Sequence, residues 1–354
     1  MAKPVKNCRI NGNFFFLLRQ EATLLFGKMA IGGMIMKEKC FHIAMAILLG
    51  LVLPGIVIRL FTPTAQIAQP EASTIPSQIE KTAPGIWVLV DDAPQWMILE
   101  EYLAGVILAE MPTTYDHDAL CAQAVAARTY ALKRQEGVKH PQGAVCTDPA
   151  CCQAYVSIPE FLDGKGNETD VTAASQAAKE TAGMVLTYDG KLIDATYFHS
   201  SGGHTEDALA VWGVEIPYLQ AVQSPGEEEL EDYSIKTFYT IADLERMLER
   251  SLPGKPDSWL GWTTYTPGGG VETIMLAGIQ YTGLELRSVL KLNSTAFSIQ
   301  AESTGLWFTA LGKGHRVGMS QTGAQAMALK GASWQEILAH YYPGTRIDKM
   351  EEVG

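Results

Sequence analysis

Residues 100–132 read EEYLAGVILAEMPTTYDHDALCAQAVAARTYAL, from Glu100 to Leu132. The stretch predicts two helices joined by a short polar turn. In the first, Leu103, Ile107 and Glu110 fall at i, i+4 and i+7, so the carboxylate lies along the apolar stripe and not on a charged face. Pro112 stops this helix within a residue or so, because the residue before a proline is disfavoured in the α region. Glu110 is therefore expected at an exposed helix end, half in apolar surroundings. Partial desolvation there raises a carboxyl pKa, which suits a general acid. Periodicity alone is equally met by an amphipathic helix whose last turn happens to carry a glutamate. After the turn, Asp118 reads as the N-cap of a second helix, Ala119 to Arg134, with Gly137 just beyond it. Its face of Cys121, Ala124, Val125, Arg128 and Leu132 is small and apolar, so a neighbour can approach closely, and Arg128 reads as a structural partner for a carboxylate.

Working toward the N-terminus, the charge divides the chain. The net charge over 354 residues is -12. Residues 1–61 hold 8 Lys or Arg against 2 Asp or Glu, and the rest holds 19 against 37. So acidic a body argues against nucleic acid as a partner. Residues 1–40 read as a cytoplasmic N-terminal segment. Residues 41–61 read as a transmembrane anchor, whose core FHIAMAILLGLVLPGIVI, Phe41 to Ile58, is long and apolar enough to span a bilayer. Lys37 and Lys39 precede it, so the positive-inside rule sends everything after Phe61 out of the cytoplasm. A cleaved signal peptide is the alternative, but no clear A-x-A site follows the apolar run. Residues 1–33 have no evident role, and Met34 or Met36 would give a more compact start. Residues 62–85, rich in Pro, Ser and Thr, read as an extended linker, and 86–354 as the extracytoplasmic domain, opening with a strand at Ile86 to Val90.

Directly after the second helix comes HPQGAVCTDPACC, which holds His140, Cys146, Cys151 and Cys152 within thirteen residues. These are zinc-preferred ligands in a turn-rich segment. The spacing is no standard CxxC pair, and a local disulfide or free thiols packed in the core are the competing readings. Three cysteines leave one thiol over in any local disulfide scheme, whereas a tetrahedral ion uses all four residues. Such an ion would be structural, with no position open for water. Cys121 reads as core.

Further on, Thr169 or Asp170 caps a helix that Gly183 ends, and Met184 to Tyr197 reads as a β-hairpin about Asp189-Gly190. The block YFHSSGGHTEDALAVWG follows. Ser200 and Ser201 in a polar loop, flanked by His199, His204, Glu206 and Trp212, supply hydrogen-bonding groups and an aromatic face, as a saccharide site requires. A capped turn in which Thr205 and Glu206 start a helix is the plainer reading. The run GEEELED, Gly226 to Asp232, reads as a solvated loop, Ala242 to Leu252 as a helix, and Pro253 to Gly270 as a long loop at the cleft edge. Strands are expected within Val271 to Gln280, at Phe297 to Ala301 and at Leu306 to Ala310, with a short helix from Leu284 to Leu290. Near the C-terminus, His315 sits in a glycine-rich turn before a helix, Ser320 to Lys330, whose N-terminus offers unpaired N–H groups to an anion. Ser320 and Gln321 are candidate ligands there, and a last helix runs from Trp334 to Tyr341.

The pairing of YLAGVILAEMP with ALCAQAVAARTYAL resembles the opening motif of the stage II sporulation protein D family of peptidoglycan lytic transglycosylases. Two later blocks agree with it, Tyr197 to Trp212 and Gly312 to Thr345, so the resemblance spans roughly the last three quarters of the chain. It departs at Arg316, where glycine is frequent in the family, and at Thr322, where an aromatic residue is. The resemblance implies that Glu110 is the acid, and that the loops at Tyr197–Glu206 and His315–Gln321 form the cleft. It also implies that peptide-stripped glycan strands are the substrate, cleaved between N-acetylmuramic acid and N-acetylglucosamine with a 1,6-anhydro product. A cell-wall amidase and a membrane partner of forespore engulfment are implied as partners, at the membrane between mother cell and forespore. A zinc-ligand cluster near His140 is present in some members. Some relatives lack the acid, so an amidase activator that binds glycan without cleaving it is the second reading. Catalytic zinc on His199, His204 or His315 finds no HExxH-like spacing. The expected fold class is α+β, helices packed on antiparallel sheet with a substrate cleft, preceded by one N-terminal transmembrane helix.

Overall fold

The computed structural model describes residues 84–229 and 233–353. The expected cytoplasmic segment, anchor and most of the linker lie outside them. Among the described residues, no helix is long and apolar enough to cross a membrane.

The described chain opens with an antiparallel hairpin, β1 (Gly85–Val90) and β2 (Ala93–Ile98), closed by Asp91 and Asp92, both at positive φ. β2 runs straight into α1 (Leu99–Glu110). This helix was expected to be amphipathic, yet Leu99 and every residue from Tyr102 to Leu108 are buried. A helix apolar on nearly all sides belongs in a core, and α1 is central. It stops where Pro112 requires: Met111 is extended, at φ -132° and ψ 145°. Next, α2 (His117–Glu136) starts two residues earlier than expected, and its N-cap is Asp116, whose carboxylate takes the Asp118 N–H at 3.0 Å. Asp118 instead accepts from the Trp334 N–H at 2.9 Å. Arg128 is fully buried on α2 and has the expected carboxylate partner, which is Glu100, together with the carbonyls of Ala178 and Met184.

Beyond α2, β3 (Val145–Cys146) pairs in parallel with β1. α3 (Ile158–Asp163) precedes α4 (Glu168–Glu180), which packs on α1 and α2. The cap of α4 is Asn167, whose side-chain oxygen receives both the Thr169 and Asp170 N–H groups, so those two residues lie inside the helix. β4 (Met184–Tyr188) and β5 (Lys191–Leu192) form the expected hairpin about Asp189-Gly190. The returning strand is only two residues long. β6 (Tyr197–Phe198) leaves that sheet and pairs in parallel with Met319–Ser320. α5 (Ala208–Trp212) follows, capped by Asp207 and so starting after Thr205 and Glu206.

Residues 234–311 build a second core of their own. They comprise β7 (Ser234–Thr240), α6 (Ile241–Met247), β8 (Leu260–Tyr265), β9 (Val271–Leu276), β10 (Ile279–Thr282), α7 (Gly283–Leu290), β11 (Phe297–Glu302) and β12 (Gly305–Leu311). Two three-stranded antiparallel sheets, ordered β10-β9-β8 and β11-β12-β7, enclose Leu244, Trp259, Ile274, Leu286, Leu306 and Phe308. The expected loop from Pro253 to Gly270 thus contains a strand, and α6 ends before Leu252 because Glu249 turns to positive φ.

The chain then returns to the first core through β13 (Met319–Ser320), α8 (Gln321–Leu329), α9 (Trp334–Tyr341) and β14 (Arg346–Lys349), which adds to β4. The class is α+β. Helices packed on antiparallel sheet is only part of its architecture, however: among the described residues there are five small sheets, two of which enclose the second core and two others of which contain parallel pairings.

Candidate active site

The last residue of α1, Glu110, lies at the mouth of a cleft. Glu110 is half-buried, and its Oε1 accepts the backbone N–H of Ala154 at 2.8 Å. Burial pushes the carboxyl pKa up, against the Ala154 N–H and the Gln321 side chain, which favour the charged form. Gln321 acts more weakly, since its Nε2 makes no close hydrogen bond among the described residues. Gly105 brings the Ala154 segment there. A Cβ at that position would stand 2.5 Å from the Tyr155 ring and 2.5 Å from the Val156 carbonyl, so only glycine lets the segment lie on α1. The Val156 N–H closes the contact on the Gly105 carbonyl at 3.3 Å.

Glu110 opens into a cleft of about 620 Å³ lined also by Tyr197, His199 and His315, with Trp212 and Phe198 as aromatic walls. Four of the predicted catalytic and substrate-binding residues therefore meet in one place, drawn from three separate stretches of sequence. Tyr197 donates to Gln153 Oε1 at 2.9 Å, and Gln153 Nε2 donates to the Tyr102 hydroxyl at 2.8 Å. Burial, with the Glu110 carboxylate nearby, holds the Tyr197 hydroxyl well above its ordinary pKa, so it stays protonated. His315 lies between Phe198 and Trp212, with ring centroids 5.5 and 5.6 Å away. Burial and the Arg287 charge bring its pKa down to about 4, and its Nδ1 accepts the Val317 N–H at 3.1 Å. At neutral pH it is an uncharged imidazole. Asp194 also lines the cleft and is paired with Arg134 at 3.2 Å.

The remaining candidates hold the loops. Ser200, Ser201, Glu206, Ser320 and Gln321 are buried and do not line this cleft; His204 is exposed on the same loop. Glu227, within the run expected to be solvated, is fully buried. Its carboxylate accepts from the Ser201 N–H at 2.8 Å, the Gly202 N–H at 2.9 Å, and the hydroxyls of Ser201, Ser224 and Ser320 at 2.9, 2.7 and 2.5 Å. That one side chain ties the serine-glycine loop to the start of α8. Glu206, also fully buried, pairs with Arg316 at 3.0 Å and takes the Gly270 N–H and Thr266 hydroxyl. Arg316 further donates to the carbonyls of Ser201, His204 and Gly268. It sits at φ +68°, which accounts for glycine being frequent there. Sequence reasoning missed Gln153, Asp194 and Glu227. Only Gln153 carried a signal, its place directly after the cysteine pair.

The cysteine cluster forms one wall of the cleft, through Cys151 and Cys152. The four candidate donor atoms of His140, Cys146, Cys151 and Cys152 all lie within 4.8 Å of one another, and the cysteines are free. His140 Nε2 is 3.4 Å from Cys151 Sγ and 3.6 Å from Cys152 Sγ. Zinc bonds of about 2.3 Å to sulfur and 2.0–2.1 Å to nitrogen, at tetrahedral angles, give an S···N edge of about 3.5–3.6 Å. The donor set and these two edges suit a closed tetrahedral ion, which would displace the Lys139 Nζ contact to Cys151 Sγ at 2.9 Å.

Residues 92–188 match a family model described as Stage II sporulation protein. Stage II sporulation protein D of Bacillus subtilis (strain 168) is 37% identical over 259 residues, covering 72% of this chain and 75% of that protein. Its namesake in Bacillus amyloliquefaciens is 34% identical over 258 residues, with the same two shares. An amidase enhancer of Bacillus subtilis (strain 168) is 28% identical over 304 residues, covering 69% of this chain and 40% of the enhancer.

Proposed function

This chain belongs to the stage II sporulation protein D family, and from that premise we propose that it is a lytic transglycosylase of the sporulation cell wall. The observation that carries the reading is Glu110: a carboxyl held partly out of water at the end of a buried helix, facing a cleft with aromatic walls. Protonated, it gives its proton to the glycosidic oxygen between N-acetylmuramic acid and N-acetylglucosamine. The resulting carboxylate takes the proton of the muramic 6-hydroxyl, whose oxygen closes on C1. One bond breaks, one forms, the acid regains its proton, and no water is consumed.

A glycosidase that uses water or a covalent intermediate needs a second carboxylate. Asp194 shares the cleft but is paired with Arg134, which supports the one-acid route. Ala154 positions the acid from the segment just after Cys152, and an ion on His140, Cys146, Cys151 and Cys152, when bound, would brace that segment structurally. Peptide-stripped glycan as substrate, an amidase and a membrane protein as partners, and anchorage outside the cytoplasm at the engulfing membrane belong to the same proposal.

The similarity to an amidase enhancer favours one alternative, a glycan-binding activator of an amidase. Mass spectrometry of peptide-free glycan strands incubated with the full chain separates the two. Anhydro-muramic ends made by the parent and not by a Glu110→Gln variant support the transglycosylase. Glycan retained uncut by both, with amidase activity raised, moves the assignment to the activator.

A further inference from the structure

We propose a second metal site, formed by His117, Cys121 and Glu180, that takes a divalent transition ion of the zinc class. It is separate from the cysteine cluster and does not depend on the catalytic reading. His117 and Cys121 are one turn apart on α2, so both side chains leave the same face of the helix. Glu180 is the last residue of α4, which packs across that face. An imidazole nitrogen, a thiol sulfur and a carboxylate oxygen meet there within 4.8 Å of one another.

Each separation is close to what an ion requires. His117 Nε2 lies 3.4 Å from Cys121 Sγ, against a tetrahedral zinc edge of about 3.5–3.6 Å. The 2.5 Å contact from His117 Nε2 to Glu180 Oε2 must widen to about 3.3 Å, and both side chains are roughly half exposed and free to move that far. Cys121 is buried, and His117 is its one hydrogen-bonding contact among the described residues. Gln176 donates to the other oxygen of Glu180 at 2.8 Å, an outer contact of the kind that orients a ligating carboxylate. The start of a helix and the Arg128 charge both disfavour a cation, while Glu180, Asp118 and Asp116 act on the thiol in the opposite sense. Three protein ligands leave a fourth position open to water. The ion would pin the start of α2 to the end of α4, next to the turn that follows Glu110.

The test is the number of ions held by the full chain, read by zinc content after dialysis and by cobalt titration, for the parent and for His117→Ala and Glu180→Gln. Each variant is expected to hold one ion fewer than the parent, or to bind its last ion at least tenfold more weakly. The difference spectrum should carry thiolate-to-cobalt absorption. That result is independent of whether the cysteine cluster loads, since the cluster contributes equally to all three proteins. Equal counts and equal affinities would overturn the proposal and leave a histidine-glutamate ion pair beside a packed thiol. Glu180→Gln changes only an exposed side chain, so it decides the matter even if His117→Ala fails to fold.

Discussion

Changing Glu110 to Gln removes a proton and keeps a shape, so two effects of opposite sign should appear together. Loss of the acid lowers the rate by about 10²–10⁴-fold. Stability moves the other way. The folded pKa is raised above the unfolded one, so the parent keeps its full stability below the unfolded value and loses part of it as pH rises through the folded value. Denaturant unfolding should find the variant level with the parent in acid and more stable at neutral pH. For the parent, kcat/KM should fall as pH rises through a pKa above the ordinary carboxylate range; the neutral His315 contributes no limb near neutrality. Arg316→Gly tests the other buried charge. Relief of its left-handed backbone gains about 1 kcal/mol, while the stranded Glu206 charge costs about 3–5 kcal/mol. A net loss is expected in urea unfolding, and adding Glu206→Gln should restore part of it. Glu110 was legible because Pro112 fixes where its helix ends. Glu227 was not, because nothing local distinguishes a buried glutamate from its solvated neighbours in an acidic run.

At the scale of elements, the joint between α1 and the segment after the cysteine pair places the Glu110 carboxyl. Gly105→Ala would normally stabilise a helix interior by about 1 kcal/mol. Here the added methyl meets the Tyr155 ring and the Val156 carbonyl, so overpacking should cost about 1–3 kcal/mol instead. Displacement of Ala154 should also lower kcat more than it raises KM, a split that steady-state kinetics reads directly. Helix positions and the Asp-Gly hairpin were visible in the sequence, since periodicity and turn chemistry are local. The caps at Asp116 and Asn167 were each placed two or three residues late, because several acidic and amide residues crowd each helix start and only the backbone path chooses among them. β8 was hidden by its Gly, Pro and Trp surroundings. It is held by pairing with β9, a contact that its own residues do not announce.

At the scale of the whole molecule, two cores are joined by the loops that carry the site, and residues far apart in sequence complete one cleft. That two-core division was not legible, since closure of residues 234–311 on themselves depends on pairings over long separations. The three motif blocks were, because each is read from its own contiguous residues, and Glu110, Tyr197, His199 and His315 from them line one cleft. If an ion braces the wall of the cleft, chelation should lower the melting temperature and activity together, and zinc should restore both; in a Cys146→Ser, Cys152→Ser double variant chelation and zinc should no longer change activity through the cluster, and the shift in melting temperature should be smaller than in the parent. The central claim, that Glu110 closes the sugar on itself without water, is tested most directly by digesting peptide-free glycan in heavy-oxygen water and weighing the new ends. Products free of the label and lighter by one water than reducing ends are the expected result. One labelled oxygen at each new end would contradict it, and would make the enzyme a hydrolase with Asp194 as the next residue to replace.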